Sequence, residues 1–427
     1  MKVVYPICCG IDVHKRFLIA TIITTKKDLL TPIYQKKRFS TFNNQILALK
    51  KWLVKNNCFD VCMESTGKYW IPVFNLLEDQ MNVVVANPKW VRAVKGNKDD
   101  VKDSKWIAEL FRMGLVRNSF IPEKPIRDLR EFTRYRVRLV SQRSSEKNRL
   151  QNVFTVGNVA MDAVVSDMFG KSSKKVREYL ISTDQFDPDY CLSLLHGRMK
   201  PKGQELIESI EGYSFSESQV IRIRLIEEHI TYLNHTIELI DKTLDRMVEA
   251  YEPAIRLLCT IPGIKRASAI QIISEIGTDM SQFQTAKQLT CWAGLAPSSN
   301  ESAGKKKSVR ISRAGVYLKP TLVQCAHAAV KATKESPYYR IKYQKLSKRR
   351  GKKRSIIAIS RMMLTAIYHM ISTGEVWNPV DIDQVDMPEH VINKRKELAI
   401  TAAKNLLIKE GLIPNDFQTV LGIVQKE

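Results

Sequence analysis

Short apolar runs alternate with longer amphipathic segments through the first third of the chain. The apolar runs, rich in β-branched or aromatic side chains as strands are, lie at residues 3–12, 17–24, 59–64 and 82–86, and residues 32–39 are a further candidate strand. Residues 43–55 and 69–79 instead repeat apolar positions every three or four residues, as helices do, and another such segment begins near Asp100. The predicted order is β-β-β-α-β-α-β-α, which indicates an α/β domain with a mixed sheet and flanking helices.

The middle of the chain predicts a long cationic helix. Residues 126–153 contain neither glycine nor proline. The cations along this segment are Arg127, Arg130, Arg134, Arg136, Arg138, Arg143, Lys147 and Arg149. This face could simply be solvated, or it could bind phosphates. So many like charges repel one another unless an anionic partner is present, which keeps the second alternative open. Arg130 and Arg134 are the candidate phosphate contacts.

A second long helix carries a heptad seam, in which apolar residues alternate spacings of three and four. The seam residues are Ile223, Ile226, Ile230, Leu233, Ile237, Ile240, Leu244 and Met247. Because the seam lasts only about three heptads, packing within the chain and dimerisation both remain open. Residues 159–213, which precede this helix, show mixed secondary-structure signals, and their sequence indicates no role.

In the C-terminal third, apolar helices are predicted at residues 317–331 and 356–371. Between them, residues 345–354 predict a dense basic loop for the phosphates of RNA or DNA. Its candidate contacts are Lys348, Arg349, Arg350, Lys352, Lys353 and Arg354. The tail from Asp381 turns acidic and then looks helical at residues 394–409, and its role is open.

Length and charge bound the class of protein. A chain of 427 residues is too long for one ordinary domain. We divide it into an α/β domain at residues 1–120, a helical region at 121–252, a mainly α-helical domain at 253–380 and a tail at 381–427. The net charge of +24 favours a polyanionic partner, most plausibly nucleic acid.

The cysteines and the N-terminus indicate the compartment. The 8 cysteines lack paired C-x-x-C spacing and sit among apolar residues, so buried free thiols are expected rather than disulfides or zinc. The N-terminus has no signal-peptide pattern, and no run is expected to span a membrane. We therefore expect a cytoplasmic, prokaryotic intracellular protein, associated with the nucleoid when bound to DNA.

Four acidic residues form the first candidate for chemistry. Asp100 and Asp103 are three apart and so share one face of the predicted helix, although an acidic first turn that complements the helix dipole would look the same. Asp12 and Glu64 each end an apolar strand, at the sheet edge where α/β folds place ligands. Four carboxylates in this arrangement favour a Mg²⁺ or Mn²⁺ site, in which two metals could act on a phosphodiester.

A serine-containing loop is the second candidate. Ser302 stands in an Ala-Gly turn and precedes five cations, Lys305, Lys306, Lys307, Arg310 and Arg313. Its hydroxyl could attack phosphorus while the cations neutralise the developing charge. The residues alone favour a phosphate-binding loop in which the serine only donates a hydrogen bond.

Several motifs together resemble those of one known family. They are Gly10–Lys15, Glu64–Tyr69, Asn87–Val91, Lys98–Asp103, Trp292–Pro297 and Glu301–Lys305. The chain is identified by them as resembling the insertion-sequence one-ten family, the Piv/MooV-like DEDD transposases. One departure is Asp99, where the family more often has a small or polar residue.

The resemblance implies both a fold and a set of site residues. The N-terminal domain would be similar to the Holliday-junction resolvase RuvC, on a ribonuclease-H fold. The metal-binding tetrad would be Asp12, Glu64, Asp100 and Asp103. The C-terminal transposase domain would carry a nucleophilic serine, and Ser302 is the matching position.

The resemblance also implies partners. It implies donor and target DNA, a coiled-coil dimerisation element that makes a homodimer or higher homo-oligomer, and a structured non-coding bridge RNA that guides target choice. The leading hypothesis is therefore a transposase. The alternatives are a RuvC-like nuclease or junction resolvase that uses activated water, with Ser302 only binding phosphate, and a nucleic-acid-binding scaffold with an inactive metal site.

Overall fold

The structure is a computed structural model. It describes residues 3–25, 32–65, 67–88, 100–183, 185–297, 301–302, 305–306, 310–332, 337–379 and 381, with isolated helical positions between 389 and 408. Within these ranges, the side chains of residues 100–102, 301–302 and 305–306 are not described. The chain divides into two compact units, Met1–Ile121 and Pro122–Glu427.

The N-terminal unit has the predicted order of strands and helices. Its elements are β1 (Ile7–Val13), β2 (Phe17–Thr24), β3 (Ile33–Ser40), α1 (Asn43–Lys55), β4 (Asp60–Glu64), α2 (Trp70–Leu77), β5 (Asn82–Ala86) and α3 (Asp100–Arg112). The expectation of an α/β N-terminal domain is thus confirmed.

One five-stranded mixed sheet organises this unit, in the order β3-β2-β1-β4-β5. The first three strands form an antiparallel meander, while β4 runs parallel to β1 and β5 parallel to β4. Helices cover both faces because alternate strand residues point to opposite sides. Ile11 and Leu18 pack in the core with α1 and α2, whereas Cys8 and Ile23 pack with α3.

Helix α3 lies unusually close to the central strand at Gly10. A Cβ atom at this position would stand 2.3 Å from the carbonyl oxygen of Ser104 and 2.4 Å from the amide nitrogen of Ala108. Only glycine permits such an approach of two backbones. The Ser104 and Thr21 hydroxyls, 2.8 Å apart, add a buried hydrogen bond between α3 and β2.

The second unit is mainly helical, as predicted for the rest of the chain. Two long helices, α4 (Lys124–Val156) and α9 (Glu217–Met247), are connected by four short ones: α5 (Met161–Val164), α6 (Lys171–Leu180), α7 (Pro188–Ser193) and α8 (Gly203–Glu208). The C-terminal part contains α10 (Glu252–Cys259), α11 (Arg266–Ile276), α12 (Ala286–Trp292), β6 (Glu301–Ser302), β7 (Lys305–Lys306), α13 (Leu318–Lys331), α14 (Tyr338–Arg350) and α15 (Lys352–Thr373).

The heptad seam of α9 packs against α4 of the same chain. Arg136 pairs with Asp241, and Arg143 donates a 2.9 Å hydrogen bond to Asn234, so the two helices run antiparallel. Of the seam residues, all except Met247 are buried. The seam therefore serves packing within the chain, one of the two alternatives that the sequence left open. Because these residues are already buried, the expectation that the seam itself forms a dimer interface is not met.

The segment that gave mixed sequence signals forms a small helical cap on this antiparallel pair. Residues 159–213 share a core with the ends of α4 and α9, including Phe154 and Ile226. A buried Arg177 binds the cap to α9 through an ion pair with Glu227. The described residues of the cap therefore serve to pack the ends of the two long helices.

Two sequence expectations in the C-terminal part are corrected. The basic run at residues 345–354 is not a loop, because α14 continues to Arg350 and α15 begins at Lys352, with only Gly351 between them. The helix Lys352–Thr373 is also long and apolar enough to span a membrane, contrary to expectation. It packs against α12, α13 and α14, and core helices can have the same length and apolar composition.

Most cysteines match their prediction. Six are buried, and all 8 are free thiols. Cys259 and Cys291 are exposed, which the sequence did not predict.

Candidate functional site

The sheet topology brings Asp12 and Glu64 to the same edge. Strands β1 and β4 are parallel neighbours, and Ile11 is registered with Met63. Asp12 and Glu64 each directly follow this pair, so both come at the carboxyl ends of adjacent strands. In open α/β sheets this edge is where ligands bind.

Asp12 is held by a histidine that sequence reasoning did not single out. Its Oδ2 atom lies 3.0 Å from Nε2 of His14, and the Asp12 side chain is only 14% exposed. The His14 ring packs on Phe17 with ring centroids 4.6 Å apart. Phe17 is covered in turn by the Arg38 guanidinium at 4.1 Å. The signal in the sequence was a histidine two residues after the aspartate, in the tight turn between β1 and β2.

The other two acids lie at the start of α3. Asp100 is the first residue of this helix, and Asp103 is half-buried one turn later. The close contact at Gly10 and the Ser104 hydrogen bond fix this first turn against β1 and β2. The topology therefore places the helix start on the same sheet that carries Asp12, although the side chain of Asp100 lies outside the described residues.

The donor chemistry fits a hard divalent cation, since carboxylate oxygens are the ligands that Mg²⁺ and Mn²⁺ prefer. Among the described side chains, however, no group of three acids, histidines or cysteines converges closely enough to hold a metal ion. Asp12, Glu64 and Asp103 thus share a part of the fold without forming a closed cluster by themselves.

Ser302 lies on a short hairpin in the second unit. Backbone pairing joins Ser302 with Lys305 and Glu301 with Lys306. The intervening turn and Lys307 lie outside the described residues, as do the side chains of Ser302, Lys305 and Lys306. The structure thus describes the backbone of the predicted loop at its serine and at two of its cations.

The base of this hairpin is closed by two glycines that the sequence did not single out. Gly294 and Gly315 have positive φ values of 68° and 67°. A Cβ atom at Gly315 would stand 2.2 Å from the carbonyl oxygen of Ala293, so the two limbs of the loop touch there. Further along, Pro297 and Ile311 form a β-bridge.

A lysine secures one limb of the same loop. Lys319 donates hydrogen bonds of 2.8 Å and 2.9 Å to the carbonyl oxygens of Ser312 and Ala314. Burial lowers the pKa of the Lys319 ammonium. This lysine has a structural task at the base of the hairpin that carries Ser302.

Part of the cationic face of α4 is neutralised within the chain. Arg130 donates to the backbone carbonyls of Ser274 and Glu275 at 3.0 Å and 2.7 Å. Arg134 forms a two-pronged pair with the buried Glu275 carboxylate, at 2.7 Å and 2.8 Å. Burial lowers the pKa of Arg130 to about 10, which leaves it charged at neutral pH. The predicted phosphate contacts Arg130 and Arg134 thus already have hydrogen-bond partners within the chain.

The other basic candidates with described side chains remain exposed. They are Arg310, Arg313, Lys348, Arg349, Arg350, Lys352, Lys353 and Arg354. The last six surround Gly351, where α14 ends and α15 begins. The helix junction, rather than a loop, concentrates this charge.

Comparison with known proteins gives two family matches. A model described as a transposase matches residues 9–157. A second, for the transposase IS116/IS110/IS902 family, matches residues 255–340. The first match includes most of β1 and all of β4 and α3, and the second includes the serine hairpin and its base.

Individual relatives agree with these matches. The chain is 22% identical over 324 residues to the transposase for insertion sequence element IS1111A of Coxiella burnetii, covering 74% of this chain and 79% of that protein. It is 33% identical over 160 residues to the pilin gene-inverting proteins of Moraxella lacunata and Moraxella bovis. Those alignments cover 35% of this chain and 45% of each relative, so the chain spans less than half of their length.

These findings define the chain as a transposase, which implies an enzyme that cuts DNA. It belongs to the IS110 family, the insertion-sequence one-ten family that its motifs resemble, so the resemblance is confirmed.

Proposed function

We propose that this protein is the recombinase of a mobile element, which cuts and rejoins DNA with a carboxylate metal site and a serine nucleophile. The observation that carries the proposal is the placement of Asp12 and Glu64 at the carboxyl ends of neighbouring parallel strands, within a chain that belongs to a transposase family. The strand order β3-β2-β1-β4-β5 is consistent with a RuvC-like ribonuclease-H fold.

In this proposal, Asp12, Glu64, Asp100 and Asp103 hold Mg²⁺ or Mn²⁺. The bound cations would supply activation of the nucleophile and stabilisation of the leaving oxygen of a phosphodiester. The protein's own contribution is to orient the ligands, as the His14 contact with Asp12 does. The fixed first turn of α3 would do the same for Asp100 and Asp103.

Ser302 would form the covalent bond to DNA. Its hydroxyl oxygen attacks the phosphorus, and the DNA oxygen leaves as a hydroxyl, so a phosphoserine linkage preserves the bond energy for rejoining. The paired hairpin and its closed base support this role, because a nucleophile must be held in one position.

Further parts of the proposal concern partners. Donor and target DNA are the substrates, a bridge RNA is the guide, and a homodimer or higher homo-oligomer is the active form. A net charge of +24 supports the binding of more than one nucleic acid. Such a protein would work in the cytoplasm, at the nucleoid. Sequencing the nucleic acid that copurifies with the protein tests the guide, and recovery of no element-derived RNA would contradict it.

The central test is Ser302→Ala, compared with Ser298→Ala in the same loop. With a labelled donor DNA, the wild type and Ser298→Ala should give a protein–DNA adduct that survives denaturation, and Ser302→Ala should give none. Strand cleavage by Ser302→Ala at the wild-type rate would instead support the alternative, a RuvC-like nuclease or resolvase that uses activated water.

The metal site has a separate test. Asp12→Asn should abolish cleavage and weaken Mn²⁺ binding measured by calorimetry. Undiminished recombination by Asp12→Asn would favour the third reading, in which the protein is a nucleic-acid-binding scaffold.

A further inference from the structure

A large groove lies beside the serine hairpin in the second unit. It has a volume of about 1410 Å³ and runs along α14 and α15. Leu295, Pro297, Arg310 and Ile311 also line it, and these residues flank the hairpin on both sides. Because Pro297 and Ile311 are bridged to each other, the hairpin emerges from the wall of this groove.

The lining of the groove combines two kinds of side chain. Its apolar part includes Ile357, Met362 and Ala366 of α15. Its cationic part includes Arg349, Arg350, Lys353, Arg354 and Arg361. These five cations are exposed, and none of them forms an ion pair with a carboxylate in the described part of the chain.

Among the described residues, the lining of the groove contains two carboxylates. Asp381 pairs with Lys342 and accepts a 2.6 Å hydrogen bond from the Tyr338 hydroxyl. Glu375 is the other acid in the lining. Since Asp381 is already engaged, it does not neutralise the cations around Gly351, and that part of the groove retains its positive potential.

We propose that this groove binds an unpaired polynucleotide strand, with its bases on the apolar surface and its phosphates on the cations. A duplex presents phosphates and groove edges on its outside, so it has no base faces to place on an apolar surface. A single strand exposes both bases and phosphates, and proteins bind it by combining a cationic groove with apolar or stacking contacts.

This inference rests on the proposed function and deepens it, because it states the form in which a strand approaches Ser302. An enzyme that exchanges strands must hold at least one strand unpaired at some stage. A groove from whose wall the serine hairpin emerges would guide such a strand toward the nucleophile. The recognised chemistry, bases and phosphates without a complementary strand, is common to DNA and RNA.

The test is equilibrium binding of fluorescent 12-nucleotide probes of mixed sequence, measured by anisotropy on the full chain in EDTA. The probes are single-stranded DNA, single-stranded RNA and the DNA duplex. Because EDTA removes divalent metals and no cleavage is scored, the result does not depend on whether Ser302 is the nucleophile. The two single-stranded arms distinguish a DNA from an RNA occupant.

One variant fills the apolar part of the groove without altering charge. Ala366→Trp should fill the groove and lower single-strand affinity about tenfold, the range of a lost base-stacking contact, with little change for the duplex. Ala328→Trp, at an exposed position of α13 outside the groove, is the matched control and should leave all affinities unchanged.

A second variant tests the phosphate contacts and does not depend on how the groove accommodates tryptophan. Arg361→Ala should reduce the slope of log K against log salt by about 0.7 for the single strand, the value for one phosphate contact. Lys331→Ala, an exposed cation of α13, is its control. Equal losses for duplex and single strand, or no loss with either variant, would overturn the proposal in favour of a duplex-binding surface or of an acidic protein segment as the occupant.

Discussion

Nε2 of His14 lies 3.0 Å from Oδ2 of Asp12, and the two residues are only two positions apart. The contact is possible because the backbone turns back at once, with the His14 amide donating a 2.9 Å hydrogen bond to the carbonyl oxygen of Phe17. The imidazole thus limits how the carboxylate can rotate at the sheet edge. It is a positioning group for the proposed metal site.

Replacing His14 should therefore weaken metal binding. We expect His14→Ala to reduce Mn²⁺ affinity about tenfold, the lower end of the range for losing a hydrogen-bond partner of a metal ligand. Calorimetry of metal binding measures this directly, and cleavage should recover at high Mn²⁺ concentration. His196→Ala, outside the N-terminal unit, is the control. Unchanged Mn²⁺ affinity would show that His14 does not orient Asp12.

The closed base of the serine hairpin makes a second prediction. Gly315→Ala should open the loop, because its Cβ would meet the Ala293 carbonyl oxygen at 2.2 Å. Limited proteolysis should then cut near Ser302 faster, and adduct formation should fall. Gly374→Ala is a matched control, since Gly374 also has positive φ but nothing lies within 4 Å of a Cβ there. Similar behaviour of both variants would mean that backbone conformation, and not contact, matters.

A third prediction concerns the stability of the helical unit. The Glu275 side chain is only 4% exposed and is paired with Arg134. Glu275 also lies 3.9 Å from the largely buried Arg130 guanidinium. Removing the carboxylate leaves that charge without compensation, which costs about 3 kcal/mol or more. Glu275→Ala should lower the urea midpoint accordingly. Glu131→Ala, exposed on the same helix as Arg134, should change it by less than about 0.5 kcal/mol; an equal effect would contradict the assignment.

Any dimer formed through α9 must use its outer face. Leu225 is 61% exposed, while its neighbour Ile226 is 8% exposed in the seam with α4. Leu225→Glu should lower the oligomeric mass in light scattering and leave the melting temperature nearly unchanged. Ile226→Glu should instead destabilise the fold by about 3 kcal/mol or more, since it buries an unpaired charge. An oligomer that persists in Leu225→Glu would place the interface elsewhere.

A fifth prediction tests whether chains share active sites. Asp12 and Ser302 belong to different units of the chain. If one protomer supplies the acids and its partner the serine, mixing Asp12→Ala with Ser302→Ala protein should restore part of the activity that each lacks. The measurement is recombination by the mixture relative to each variant alone. No recovery, with mixed oligomers demonstrated, would place both groups in one chain.

Sequence patterns predicted the N-terminal fold well because each element carried its own signal. Strands Phe17–Thr24 and Asn82–Ala86 and helix Asn43–Lys55 were predicted at their observed bounds. Because Asp12 and Glu64 each end an apolar strand, the predicted topology was enough to place both at one edge of the sheet. The His14 contact was missed because nothing in the residue pattern announces a side-chain hydrogen bond within a turn.

The errors arose where the meaning of a charge or an apolar stripe depends on a distant partner. The cations of α4 looked like a polyanion site, but Glu275 and Asp241 lie more than 100 residues away in sequence and neutralise several of them. The heptad seam of α9 packs against α4 of the same chain. The basic run at residues 345–354 predicts a loop, yet Gly351 ends one helix and directly precedes the next.

The missing side chain at Gly10 has a consequence for how the site comes into existence. Since α3 rests directly on β1 there, the acidic helix start reaches its place only when the helix docks. A ligand held jointly by Asp12 and the helix start would bind the docked state alone, and by mass action it would stabilise that state. Site assembly and completion of the N-terminal fold are then one thermodynamic event, which amide hydrogen exchange in α3 would report as slowing on addition of Mn²⁺.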